Sequence, residues 1–346
     1  MAIQWFPGHM HLTKQVITER IKAIDVVIEL LDARLPASSA NPMLAQLTAS
    51  RPTLKVLNKQ DMADPLRTAP WLAHYNSQPG TRAIALDSSD TAAAQRLIAS
   101  CRALAPLRGG MVKPMRVLIC GIPNVGKSTL INSLVRKRAA KAADEAGVTK
   151  AEQRISLADD FYLYDTPGML WPRIIVAKSG YNLAASGAVG RNAFDDEEVA
   201  LELLDYLKGP YAERLQARYK LADVAQVSAM TDDELLTEIG RKRGALQSGG
   251  RVNTQKAAEL VINDFRTGQL GPITLETPEE FALWLAAGQK LDAERQVKKD
   301  AIELNRLIKF KKIPRPPRAT NTDTRQDPHQ DETGDNPTLD ETPHIP

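Results

Sequence analysis

Eight residues, GIPNVGKS (121–128), place Gly121 and Gly126 ahead of Lys127 and Ser128. That pattern is suited to holding phosphate. The glycines let backbone N–H groups wrap an anion at a helix N-terminus, the lysine ammonium sits against the β- and γ-phosphates, and the serine hydroxyl reaches Mg²⁺. The context agrees, because MRVLIC (115–120) reads as a strand just before the loop and TLINSLVRK has helical periodicity just after it. A nucleoside triphosphate site follows. DTPG (165–168) ends a second apolar run, FYLYD (161–165), which puts Asp165 at a strand end where it can hold Mg²⁺ or its water shell. Gly168 then offers a flexible backbone N–H towards the γ-phosphate. Between the two motifs, AGVTKAEQ supplies Thr149, readable either as a second hydroxyl ligand of the metal in a switch segment or as ordinary turn chemistry.

The base is read elsewhere. LNKQD (57–61) ends the run TLKVLN (53–58), and the Asp61 carboxylate can accept hydrogen bonds from guanine N1–H and the exocyclic amine, a donor pair that adenine lacks. Asn58 can bond the purine or brace its loop, and the stem of Lys59 can lie over the base. Asp87 and Ser88, after AIAL (83–86), would close the far side. Ordinary GTPases carry the phosphate loop, the switch threonine and DxxG before NKxD, whereas here NKQD comes first. The parts are those of a circularly permuted GTPase, a rearrangement tolerated where the termini of a domain lie close together. Its consequence is that the segment after DTPG runs directly into the next domain.

These loops need a scaffold. IDVVIELLD (24–32), TLKVLN, AIAL, MRVLIC and FYLYD are short apolar runs separated by segments long enough for crossover helices, which predicts an α/β fold with a mostly parallel sheet. QRISL (153–157) adds an antiparallel edge strand, and residues 12–22 predict a helix with Leu12, Val16, Ile17 and Ile21 on its apolar face. After Trp171 the strand signals fade. DDEEVALELLDYL (195–207) reads as a helix, and TDDE (231–234) and TPEE (277–280) have capping-box spacing, the latter with Pro278 at the first helical position. The organisation expected is a GTPase domain over 1–172, a small all-helical domain over 173–312 and a disordered acidic tail over 313–346.

Composition narrows the setting. With 43% hydrophobic and 25% charged residues the 346-residue chain is ordinary for a globular protein. No apolar run approaches the roughly 18 residues of a membrane span. The N-terminus lacks signal-peptide character, and two cysteines form no disulfide framework, so a cytoplasmic protein is expected. From Ala319 onward seven acids face one base, a net −6, which leaves +9 on the remainder of a chain whose formal charge is +3. A basic body of this kind suits a polyanionic partner.

Taken together, QWFPGHM (4–10), DARLP (32–36), NKQD, GIPNVGKSTLIN (121–132), DTPGMLWP (165–172), SGG (248–250) and NDFRTGQLG (263–271) resemble the ribosome biogenesis GTPase A family over roughly residues 1–290. The resemblance implies a Mg²⁺-dependent GTPase, slow alone and stimulated by ribosomal particles. It would bind the large ribosomal subunit precursor, couple GTP hydrolysis to a late maturation step and to its own release, and be a monomer off the ribosome. Pro123, Asn124, Val125, Gly126, Lys127, Ser128 and Thr129 would contact GTP or GDP, and the helical domain would contact ribosomal RNA through stretches such as GRKRG (240–244) and KFKK (309–312). Asn124 resembles the asparagine that coordinates K⁺ in K⁺-stimulated GTPases, or else it only stabilises its loop. The residue after DTPG is Met169, which cannot orient water, so another group must enter. His9 is the candidate, since the family's N-terminal histidine is implicated in that role; the alternative is that it braces the N-terminal segment or touches RNA. A rival reading is a GTP-sensing RNA-binding switch with negligible turnover. A phosphate-loop kinase is disfavoured, because NKQD has no role in one.

Overall fold

A computed structural model of the chain describes residues 3–87, 92–108, 113–139 and 154–310. Six strands form one sheet in the order β3-β2-β1-β4-β6-β5. They are β1 (Val26–Asp32), β2 (Thr53–Asn58), β3 (Thr81–Ala85), β4 (Met115–Gly121), β5 (Arg154–Ala158) and β6 (Phe161–Asp165). All neighbours are parallel except β5, which pairs antiparallel with β6 at the edge. The mostly parallel α/β sheet expected from the apolar runs is therefore present. Strand β1 lies between β2 and β4 and is buried at all seven positions, as a strand covered on both faces must be. Its one mid-strand charge, Glu29, is matched by Lys55 directly opposite on β2, with Nζ 2.5 Å from Oε2.

The connections supply α1 (His9–Arg20), α2 (Pro42–Thr48), α3 (Pro65–Asn76), α4 (Ala93–Leu104) and α5 (Lys127–Ala139). Helix α1 starts a turn earlier than the expected 12–22, and its buried stripe is Met10, Thr13, Ile17 and Ile21, while Leu12 is 64% exposed. Ile17 and Ile21 thus pack as expected, whereas Leu12 faces solvent and Met10 joins the core in its place. After β6 the chain runs without regular structure to α6 (Ala177–Ser186), then α7 (Asp196–Leu207), α8 (Ala212–Tyr219), α9 (Val224–Ala229), α10 (Asp232–Lys242), α11 (Thr254–Arg266) and α12 (Pro278–Lys309). Both capping boxes form. Thr231 accepts from Glu234 N–H and Glu234 returns a carboxylate to Thr231 N–H, and Thr277 and Glu280 do the same for α12.

The described residues through Glu294 make one compact unit, and those from Arg295 to Phe310 belong to a second. Within the first, a continuous core joins Phe161 and Leu163 of the sheet to Leu170, Leu183, Leu204 and Phe265 of the helical part. The N-terminal segment is sewn into it. Gln4 exchanges two 3.0 Å hydrogen bonds with the backbone of Ile174, and the Leu170 N–H points at Met10 Sδ. Cys101 and Cys120 are both buried, and burial pushes the Cys101 thiol up to about 12, consistent with core residues.

Glu276 is the polar centre of the helical seam. Its buried carboxylate accepts from the N–H groups of Ala37 (2.6 Å) and Ser38 (2.8 Å), from the Ser38 hydroxyl and from the Asn182 amide. Burial nonetheless pushes its pKa from 4.5 up to about 7, because the hydrogen bonds only partly offset desolvation. A raised folded-state pKa gives stability that is complete below about 4.5 and lost as pH rises through about 7. The melting temperature of the parent, measured relative to Glu276→Gln, should accordingly fall across that window. Parallel curves for the two proteins would contradict it.

Candidate nucleotide-binding site

The phosphate-loop, DTPG and NKQD motifs each sit at the C-terminal end of a parallel strand. The phosphate loop follows β4, DTPG closes β6, NKQD closes β2, Asp87 follows β3, and Asp32 ends β1. This rim is where open α/β sheets bind ligands.

The phosphate loop and the base-reading loop touch directly. The Asn58 amide donates to Val125 O at 2.9 Å, and Lys59 Nζ donates to Asn124 O at 2.9 Å. Lys59 (φ 61°) and Asn124 (φ 56°) both adopt the left-handed region, which costs energy for a side-chain-bearing residue and is retained where surrounding contacts hold it. Gly126 has φ 95°, and a Cβ there would overlap the Asn58 amide nitrogen. A Cβ on Gly168 would come within 2.9 Å of the Pro123 backbone, so the DTPG turn lies against the phosphate loop. Lys127 Nζ reaches Asp165 Oδ1 at 2.5 Å. Ser128 and Thr129 lie exposed in the first turn of α5, and Val125 is buried. Asp61 lies exposed in a short 3-10 turn (Gln60–Met62), and Gln60 Nε2 donates to Asp87 at 3.0 Å.

Three expectations stand apart from this cluster. Ser88 and Thr149 lie outside the described residues, as does the side chain of His9. The backbone of His9 opens α1, one residue before the Met10 that meets Leu170. Met169 and Leu170 are both fully buried, and Met169 is fixed by Asn41 Nδ2 to its carbonyl (2.8 Å) and by its N–H to Gly121 O (3.0 Å). Neither side chain is available to solvent beside DTPG.

Sequence reasoning assigned no chemistry to Asp32 and Arg34. Arg34 clamps both Asp32 oxygens, Nε at 2.9 Å and Nη2 at 2.8 Å, and the same carboxylate accepts from Lys59 Nζ at 2.8 Å. Burial alone would raise the Asp32 pKa, but Arg34 and Lys59 outweigh it and hold the carboxyl well below the usual range. Arg34 Nη1 continues to Phe265 O (3.0 Å) at the end of α11. From there Arg266 donates to Ala184 O (2.7 Å) and Ala185 O (2.9 Å) at the end of α6, and Gly187 O accepts from the Asn124 amide at 2.7 Å. These contacts close a ring that starts and ends on the two nucleotide loops and passes through the helical part. The available signal was an acid and an arginine, spaced D-x-R, immediately after an apolar strand.

Comparison with known proteins agrees with this geometry. The sequence model of a family described as 50S ribosome-binding GTPase matches residues 116–235. The chain is 43% identical over 286 residues to ribosome biogenesis GTPase A of Bacillus pumilus, spanning 81% of this chain and 100% of that protein. It is 30% identical over 298 residues to mitochondrial ribosome-associated GTPase 1 of Xenopus tropicalis, spanning 79% of this chain and 94% of that protein. Among solved structures it is similar to the GDP-bound structure of TM YlqF, with a TM-score of 0.57 and 25% identity, covering 76% of this chain and 99% of that one.

Removing Arg34 would leave the buried Asp32 charge with Lys59 as its one counter-charge among the described residues. Arg34→Met should cost about 3–5 kcal/mol in a denaturant titration. Adding Asp32→Asn should recover part of that loss. A double variant as unstable as the sum of the singles would mean that the pair is not coupled.

Proposed function

Because the chain belongs to the ribosome biogenesis GTPase A family, we propose that it binds a precursor of the large ribosomal subunit in its GTP state and leaves after hydrolysis. The observation that carries this reading is the meeting of NKQD, the phosphate loop and DTPG on one rim, in permuted order, with the loop after DTPG leading straight into a helical part that contacts the same rim. Residues 1–172 would do the chemistry and 173–312 would contact ribosomal RNA, with 313–346 as an acidic appendage. The protein would work in the cytoplasm as a monomer when off the ribosome; among the described residues, no helix is long and apolar enough to cross a membrane.

The roles assigned to single residues follow. Asp61 would select guanine, Asn58 and Lys59 would brace the loop beneath it, and Asp87 with Ser88 would flank the base. Gly126, Lys127 and Thr129 would hold the phosphates with Pro123 and Val125 shaping their loop, and Gly168 would approach the γ-phosphate. Ser128 would offer a hydroxyl and Asp165 a carboxylate, a hard oxygen set that suits Mg²⁺, with Thr149 as a further ligand. When bound, that ion would offset charge developing on the phosphates. The Asn124 amide nitrogen is spent on Gly187 O, which leaves its Oδ1 as the acceptor a K⁺ ion would need.

Asp61→Asn should lose GTP affinity by a few kcal/mol, about what an unpaired buried donor pair costs, and should recover binding with xanthosine triphosphate. Retained GTP affinity would remove Asp61 from base recognition.

The burial of Met169 and Leu170 leaves no water-orienting side chain directly after DTPG, so hydrolysis by the isolated protein should be slow. His9 would supply the missing group, since a neutral imidazole can align water or take its proton. The supporting contact is that of its neighbour Met10 with Leu170. Single-turnover hydrolysis should accelerate on adding large-subunit precursors, run faster in KCl than in NaCl at equal ionic strength, and lose most of the acceleration in His9→Ala while subunit binding persists. Absence of acceleration in the parent would favour a GTP-sensing RNA-binding switch instead.

A further inference from the structure

At the opposite edge of the sheet, where β1, β2 and β4 begin, a cavity of about 270 Å³ is lined by Lys22, Asp25, Arg51, Arg108, Lys113 and Arg116. Five cations surround one carboxylate. That carboxylate is already engaged, because Asp25 pairs with Arg108 Nε at 3.0 Å and accepts the Arg116 N–H at 2.9 Å. Arg51 is also fixed, donating to Ile21 O (3.2 Å) and Lys22 O (3.0 Å) in the helical turn that follows α1. The other three, Lys22, Lys113 and Arg116, project exposed side chains that have no carboxylate partner among the described residues.

We propose that this cavity is a second anion site, one that takes the phosphates of an RNA backbone. The guanine nucleotide cannot be its ligand, since the seven-residue strands β1 and β4 separate the two edges by roughly 20 Å, at about 3.3 Å per residue. A single small phosphate would remain largely hydrated against three exposed cations and gain little. A polyanion engages several of them together and gains from the release of its counterions. Arg116 adds a planar fork that can hold two phosphate oxygens, while the paired Arg51 and Arg108 keep the walls charged and in place. The proposal rests on the reading that this protein binds ribosomal RNA, and it places a contact on the GTPase part in addition to those of the helical part.

The test is the binding of a fluorescein-labelled single-stranded oligoribonucleotide, followed by anisotropy over a salt series. Substituting Lys22→Gln, Lys113→Gln and Arg116→Gln together removes charge without removing a described structural contact, and affinity for a fluorescent GDP analogue should stay at the parent value. RNA affinity at low salt should fall about tenfold or more, and the slope of log affinity against log salt should shrink by about 2, at roughly 0.7 per lost contact. Inorganic pyrophosphate is the competing probe, and displacement of RNA by it in the parent at concentrations matching the RNA affinity would reassign the cavity to small anions. If the triple variant keeps the parent's affinity and slope while neutralising Arg241, Lys242 and Arg243 lowers both, the cavity proposal fails and the RNA reading stands. If the parent binds no RNA at any salt, both fail.

Discussion

Burying Asp32, with 1% of its surface exposed, would be costly for an isolated carboxylate. The cost is met by a bidentate guanidinium on one side and an ammonium on the other, and the two cations tie the carboxylate to different neighbours. Lys59 comes from the base-reading loop, and Arg34 reaches the end of α11. Arg34 cannot leave without weakening the neutralisation of a charge in a low-dielectric interior, and Lys59 fastens the base-reading loop to the same carboxylate. The left-handed backbone at Lys59 is retained partly because its ammonium is anchored at both Asp32 and Asn124 O.

Helix ends as well as helix faces join the helical part to the rim. The last carbonyls of α6 and α11 carry the negative end of each helix dipole, and they are met by Arg266 and Arg34. Asn124, on the phosphate loop itself, completes the set at Gly187 O. Circular permutation makes this economical. The segment after DTPG needs no return to the sheet, since β1 to β3 have already been laid down, and it can proceed directly to α6.

Much of this was legible in the sequence because the informative signals were local. A glycine-spaced loop between strand and helix, DTPG after an apolar run, and capping boxes four residues wide are all closed within one or two turns of chain. The five core strands were likewise readable from continuous apolar runs, with ends shifted by one or two residues where, as at Ile24, an apolar residue is buried just before the ladder begins. What could not be read was long-range. Glu276 looks like any acid near a helix start until Ala37, Ser38 and Asn182 are brought around it. Arg34 looks like a surface base until Phe265 O, more than two hundred residues away, is placed beside it. In α1 the sequence could not tell Leu12 from Met10, since both are apolar and only packing separates them.

The pair of hydrogen bonds between Gln4 and Ile174 spans 170 residues. In a chain made from its N-terminus, the base-reading half with β1, β2 and β3 is complete while the opening residues still lack the surface they pack on. They remain unsatisfied until the segment after DTPG has been translated. Vectorial synthesis therefore presents the guanine side first and the phosphate side second, and the leading segment can dock only after both. The N-terminal residues thus act as a clasp that fastens only after β4, β5 and β6 have joined the sheet, which makes their closure a late event in the assembly of this domain.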